Sequence, residues 1–211
     1  MHTAEHGVNF LVSLFLGRLP RPELALAVFS VADSILRVLL SPLRNLTITV
    51  QSLSNSALDF PVLGRFCAQI ALAFAALMTL FFIPPINHFA LTKAMGLTDA
   101  LADYAGLALT IGILLALSIG AAAAARGFLI ASRQTKILAI SSALRLVAVV
   151  TVGSIALLYD ASNGAAVGLW ALTAAFATEG VVLTITGVRT TPRRHTAASG
   201  LTLQCRVGDA A

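Results

Sequence analysis

Asp33, Arg37 and Arg44 fall within one long, mostly apolar stretch of the chain, while Arg145 and Glu179 each lie within another. An ionisable side chain that faces lipid costs several kcal/mol, so each of these five needs a partner, water or a solute. Their chemistry limits what they can do: guanidinium recognises carboxylate and phosphate, and a carboxylate pairs with guanidinium or carries a proton. Asp33 and Arg37, about 15 and 21 Å in from Glu23 at 1.5 Å per residue, are four apart and can pair on one helix face. Arg145 lies about 13 Å beyond Lys136, and Glu179 about 15 Å before Arg189. On adjacent antiparallel helices those depths match, which predicts an Arg145–Glu179 salt bridge whose single disruption is worse than replacement of both partners. Arg44, close to one membrane interface, either joins this polar set or snorkels. Arg126, about 36 Å along a helix that starts near Ala102, is expected to anchor at the interface with Arg133.

The elements that must hold these charges are membrane helices. Of 211 residues, 58% are apolar and 11% charged, against roughly 25% charged in a soluble domain, and the mean hydropathy is +0.91. That composition excludes a soluble globular chain and a disordered one. Fourteen Lys and Arg against nine Asp and Glu give a net charge of +5, yet the basic residues form no solvated, aromatic-interleaved stretch, so no nucleic-acid partner is expected. At about 20 residues per crossing the length accommodates about six spans and no soluble catalytic domain.

The apolar segments are 8–19, 23–54, 66–91, 100–132, 137–159 and 164–188, after an N-terminal stub, 1–7, and before a polar tail, 190–211, expected to be disordered and cytoplasmic. The first segment, about 18 Å as a helix, resembles the end of a crossing, and with no basic region or cleavage site before it this segment is expected to stay in the product. Pro20-Arg-Pro22 makes a turn. The second segment, about 48 Å long, must tilt, kink or protrude, and Pro42 is the expected kink. Along it Ser30, Asp33, Ser34, Arg37, Ser41, Arg44, Asn45, Gln51, Ser52 and Asn55 recur at three- and four-residue spacing, a polar stripe on one face. Two readings of that stripe stay open: an internal ion pair with polar packing, or the lining of a transport cavity.

The third segment stops at Pro84-Pro85, and the fourth is an overlong helix whose Ala121 to Ala125 run admits a close neighbour. Segments five and six, joined by the turn Asp160-Ala-Ser-Asn-Gly164, are expected to form an antiparallel hairpin, with the small pair Gly164 and Gly168 at a helix contact. Six crossings place Arg65, Arg133, Lys136, Arg189, Arg193, Arg194 and Arg206 on one side and Arg18, Arg21 and Lys93 on the other, which puts the tail in the cytoplasm.

Other motifs carry no chemistry. His2-Thr-Ala-Glu-His6 matches a zinc-peptidase pattern, but it sits at the terminus with no third ligand, so no metal is expected. The sequon Asn45-Leu-Thr47 lies on a membrane helix, where glycosyl transfer cannot reach it. Cys67 and Cys205 are too few and too differently placed for a disulfide framework, and His88 beside Asn87 reads as an interfacial hydrogen-bonding residue. No phosphate loop or nucleophile elbow occurs, so neither an enzyme nor a cofactor is expected.

The helix order and local text resemble one six-helix lobe of the multidrug, oligosaccharide-lipid and polysaccharide flippase superfamily, and most closely the C-terminal half of the progressive ankylosis protein family. The resemblance rests on Val8-Asn-Phe-Leu-Val-Ser13, Pro22-Glu-Leu-Ala-Leu-Ala27, Ser41-Pro42-Leu43, Ser141-Ser-Ala-Leu-Arg145, and Gly164-Ala-Ala-Val-Gly168 with Glu179. It covers about residues 8–188 and excludes the tail. It implies the fold of the multidrug and toxin extrusion transporters: two lobes side by side, a cavity between them near mid-membrane, and alternating access by rocking. The ankylosis branch exports organic and phosphate-bearing anions, and other branches move drugs or lipid-linked sugars. Arg37, Arg44 and Arg145 supply the positive charge that an anion path uses. The chain departs from the pattern in having one lobe with a shortened first helix, so a second lobe, from another copy or a separate subunit, is expected to complete it.

The sequence thus predicts an all-α integral membrane protein, a six-helix transmembrane bundle in the inner or plasma membrane. It would be half of a transporter, with Asp33, Arg37, Arg44, Arg145 and Glu179 along an export path for a small anionic or amphipathic solute. Two other readings stand beside it: a non-transporting scaffold or truncated remnant whose buried charges only pin helices, and a subunit of a lipid-linked intermediate flippase.

Overall fold

The computed structural model describes residues 2–19, 21–54, 60–94, 96–159 and 163–190. Helices dominate these residues, and no strand occurs among them. In order they are α1 (His2–Leu16), α2 (Pro22–Leu39), α3 (Ser41–Ser54), α4 (Phe60–Met78), α5 (Pro84–Phe89), α6 (Asp99–Thr110), α7 (Gly112–Ala131), α8 (Thr135–Leu158) and α9 (Gly164–Thr190). A 3₁₀ turn, Thr79–Phe82, extends α4, and a π turn, Ala90–Ala94, follows α5. The polar tail after Thr190, the side chain of Asn55 and most of the Asp160 to Gly164 turn lie outside the described residues.

The composition produces helices of membrane length. Val62–Phe82, Gly112–Ala131, Lys136–Leu158 and Gly164–Thr186 are each long and apolar enough to cross a bilayer, and α2 with α3 makes a fifth candidate span bent by 42°. The apolar part of α1, Gly7–Leu16, is shorter than a crossing requires. That helix starts at His2, so residues 2–7, expected as a stub, are helical and only the turn after Leu16 ends it.

Three breaks follow from local chemistry. Arg21 takes a left-handed conformation, φ 59°, and Pro22 then opens α2 where its missing N–H is no loss. Pro42 cannot donate to the carbonyl of Val38, four residues back, and the Ser41 hydroxyl donates to that carbonyl instead, at 3.0 Å. The expected kink is therefore present, with the break at Leu40, just before the proline. The fourth segment is not one overlong helix: it divides at Ile111 into α6 and α7, and Gly112 at the join faces Leu36 and Met78, where a Cβ would lie 2.8 Å from Leu36 Cδ2.

Small residues set the packing register. Gly164 faces Ala25 and Gly168 faces Phe29, which runs α2 parallel to α9; a Cβ on either glycine would come within 2.5 Å of its neighbour. Gly120 lies beside Leu43, Thr47 donates its hydroxyl to the Ala123 carbonyl at 3.1 Å, and Gly127 meets Val50, so α3 runs parallel to α7. Gly7 against Leu146 and Gly153 against Phe15 align α1 with α8. On the other face of α7, Gly120 meets Ala71 and Gly112 meets Met78, so α4 is antiparallel to it. In the expected close approach at the alanine run, Gly180 of α9 packs on Ala121 and Ala122. The predicted hairpin of α8 and α9 forms, and α9 packs extensively on both α7 and α8.

The start of α9 is tied to α6. Asn163 Oδ1 accepts from the Ala166 N–H at 3.1 Å, an N-cap, and the Gly164 N–H donates to the Tyr104 hydroxyl at 2.7 Å. Asn163→Ala is expected to lower stability by about 1 kcal/mol in a denaturant titration in mixed micelles, the usual loss of a cap.

Candidate functional site

Glu179 is nearly fully buried and sits on the α9 face that meets both α7 and α8. Arg145 of α8 donates from Nη1 to Glu179 Oε2 at 3.2 Å, so the predicted salt bridge is present. The match in depth is the reason. Arg145 lies about 15 Å from the start of α8 and Glu179 about 16 Å from the end of α9, at the same end of the bundle.

A second arginine shares that carboxylate. Arg126 of α7 donates from Nε to Glu179 Oε1 at 2.7 Å and contacts Oε2 through Nη2. The expectation that Arg126 anchors at the interface is therefore wrong. Its Cα is only about 7 Å from the end of α7, but side chains lean toward the N-terminus of their helix, which for α7 is inward. Arg126 reaches into the bundle by the direction that would have to be reversed for snorkelling. Arg133, beyond the helix end, is exposed and takes φ 59°.

Phe176, three residues before Glu179 on α9 and so on the same face, gathers the cations. The guanidinium carbons of Arg145, Arg44 and Arg126 lie 4.6, 5.9 and 5.9 Å from its ring centroid, within cation–π range. Arg44 thus belongs to this cluster, and its partly buried side chain turns to the ring. Asp33 and Arg37 form the expected pair, Arg37 Nε to Asp33 Oδ2 at 2.6 Å. The bend between α2 and α3 falls midway between Arg37 and Arg44, and the two still face the same space.

That space is a narrow, partly enclosed cavity of about 20 Å³, bordered by Asp33, Arg37, Arg44, Arg145, Leu172 and Phe176 among others, with room for one water. Beside it runs an open groove of about 700 Å³ between α1 and α2, lined by Asn9, Ser13, Ser30, Asp33, Ser34 and Arg37 and by apolar neighbours. Ser30 and Ser34 donate their hydroxyls to carbonyls of their own helix, so the stripe is polar and satisfied before any ligand arrives.

The structure brings all five expected residues together: Asp33, Arg37, Arg44 and Arg145 around the cavity, and Glu179 behind it on Arg145. Arg126, Phe176 and Asn9 join them without a clear signal in the sequence. Phe176 was one of eleven phenylalanines and signalled itself only by its spacing from Glu179. The stripe divides at the bend, with Ser30 to Arg37 on the groove, Arg44 on the cavity, and Asn45 and Ser52 exposed.

Elsewhere, Asn87 is buried and donates to the carbonyls of Phe81 and Gly106 at 2.9 and 3.3 Å. His88 Nε2 lies 3.2 Å from Asp99 Oδ1 on the exposed side. Compared with family models, with characterised proteins and with solved structures, the chain matches none.

Proposed function

We propose that the chain is one lobe of a membrane transporter, lining an export path for a small anionic or amphipathic solute. The observation that carries this reading is the convergence of Arg37, Arg44 and Arg145 on one cavity within the bundle, continuous in lining with a polar groove. Guanidinium groups on a low-dielectric path attract carboxylate and phosphate strongly, and intramembrane charge of this kind marks solute pathways. The groove lies on α1 and α2, the face where a second lobe would close the path, supplied by a second copy or another subunit. The same reading places the protein in the inner or plasma membrane with its tail in the cytoplasm, by the excess of Lys and Arg on that side, and takes α1 as the end of a sixth crossing. The likeness to the ankylosis branch of the flippase superfamily favours organic or phosphate-bearing anions.

Glu179 favours a different role for its own neighbourhood. Held by two arginines from two helices and enclosed, it pins α7, α8 and α9 together, so the path reading assigns solute contact to Arg37 and Arg44 and helix pinning to the Glu179 set.

The first test is the mass of the purified chain in nanodiscs, with cross-linking, followed by efflux of candidate anions from proteoliposomes. A defined dimer or a co-purifying lobe is expected. In the assembly that forms, Arg37→Gln should reduce anion flux about tenfold or more, the scale of one lost charge-assisted contact, while thermal stability in detergent stays within a few degrees of the parent. Unchanged flux in that variant would sink the path reading in favour of a scaffold.

A further inference from the structure

Two spaces meet at one ion pair. Asp33, Arg37 and Asn9 border both the narrow inner cavity and the open groove. Arg37 is 37% exposed on the groove side while Asp33 is 15% exposed, and a 2.6 Å contact joins them. The inner side holds Arg44, Arg145 and Phe176, a surface fitted to an anionic or flat group yet with room for only one water. The backbone breaks one turn beyond the pair, at Leu40, where α2 and α3 meet at 42°.

We propose that the Asp33–Arg37 pair is a door between groove and cavity, which an oxyanion arriving in the groove opens by taking Arg37 from Asp33. The exchange replaces one charge-assisted hydrogen bond of Arg37 by another, leaves Asp33 to water of the groove that it lines, and frees the arginine wall behind. Arg37 can make the exchange because part of its guanidinium faces the groove already. Asp33 is then a positioning residue: it keeps Arg37 across the opening until a competing anion is present. Asn9, facing both spaces from α1, forms the fixed side of the frame. The inference deepens the path reading and rests on it for the identity of the anion, but the door itself can be tested without transport.

The test uses thiol accessibility in the full chain, in detergent, where both ends of the protein are reachable. In a Cys67→Ala, Cys205→Ser background, Leu172→Cys places a reporter on the inner cavity, Ser30→Cys one in the groove, and Leu109→Cys one in the core away from both. A small uncharged methanethiosulfonate is the probe. With the pair intact, Ser30→Cys should react readily while Leu172→Cys and Leu109→Cys react slowly. Asp33→Asn should raise the rate at Leu172→Cys about tenfold or more, the scale of one charge-assisted hydrogen bond, Asp33→Glu should leave it low, and citrate should raise it with the pair intact. Arg37→Gln should raise it as well. Those two neutralisations change the local charge in opposite senses, so a rise in both excludes an effect on the thiol's own ionisation.

A Leu172→Cys rate that ignores both neutralisations, or that is already fast in the parent, overturns the proposal. So does a parallel rise at Leu109→Cys, which would mean general loosening. A rate insensitive to citrate overturns the anion-driven opening. Anion flux together with a closed, unresponsive Leu172→Cys would remove the door and leave the path reading standing.

Discussion

Glu179→Leu is expected to destabilise the protein by about 3–5 kcal/mol, because it leaves Arg126 and Arg145 enclosed without the carboxylate that both of them hold. The loss should appear in a denaturant titration in mixed micelles and as a large fall in the monodisperse fraction on gel filtration. Replacing the whole set, Arg126→Met, Arg145→Met and Glu179→Leu together, removes the desolvated charges along with their attraction and should return stability to within about 1 kcal/mol of the parent, or above it. Phe176 then loses two of its three cations, keeping Arg44, and retains its packing. If the triple variant is as damaged as the single one, the three residues do more than pin helices, and the assignment of solute contact to Arg37 and Arg44 alone is wrong.

Gly120→Ala is expected to cost about 1–3 kcal/mol, although it adds one methyl group to the middle of a helix. The new Cβ would lie 2.6 Å from the Cβ of Ala71 and 3.5 Å from its Cα, and neither atom can swing away by a rotamer change. The contact of α4 with α7 must open, and the seating of α3 beside it moves as well, since Leu43 lies 3.7 Å from the same point. Gly64→Ala is the matched control. Nothing lies within 4 Å of its added Cβ, so the change should be neutral or stabilise α4 by up to about 1 kcal/mol through helix propensity. Opposite signs for one chemical change would show that glycine at position 120 serves the helix contact; equal signs would contradict the packing described here.

Much of this architecture was legible because it depends on short-range rules. Hydropathy located the helices, with α8 and α9 ending within two residues of their expected bounds. A four-residue spacing is enough to pair Asp33 with Arg37 wherever a helix forms. Depth counted along two antiparallel helices was enough for Arg145 and Glu179, since each step of 1.5 Å is a property of the backbone. A proline in an overlong segment predicted the bend, although the serine before it carries the compensating hydrogen bond.

What the sequence determined by itself was therefore the apolar segments that become helical, the polar stripe and the pairs that one helix or one hairpin can make. Only the tertiary structure decided that Arg126 turns inward to Glu179, that Arg44 turns to Phe176, and that the stripe is shared between an open groove and a narrow inner cavity. The reason is geometric. Position along a segment gives the depth of a Cα, but a side chain of arginine length covers more than a turn of helix in either direction. Which way it goes depends on the neighbouring helix that presents a carboxylate or a ring at the right rotation, and no single segment of the chain contains that information.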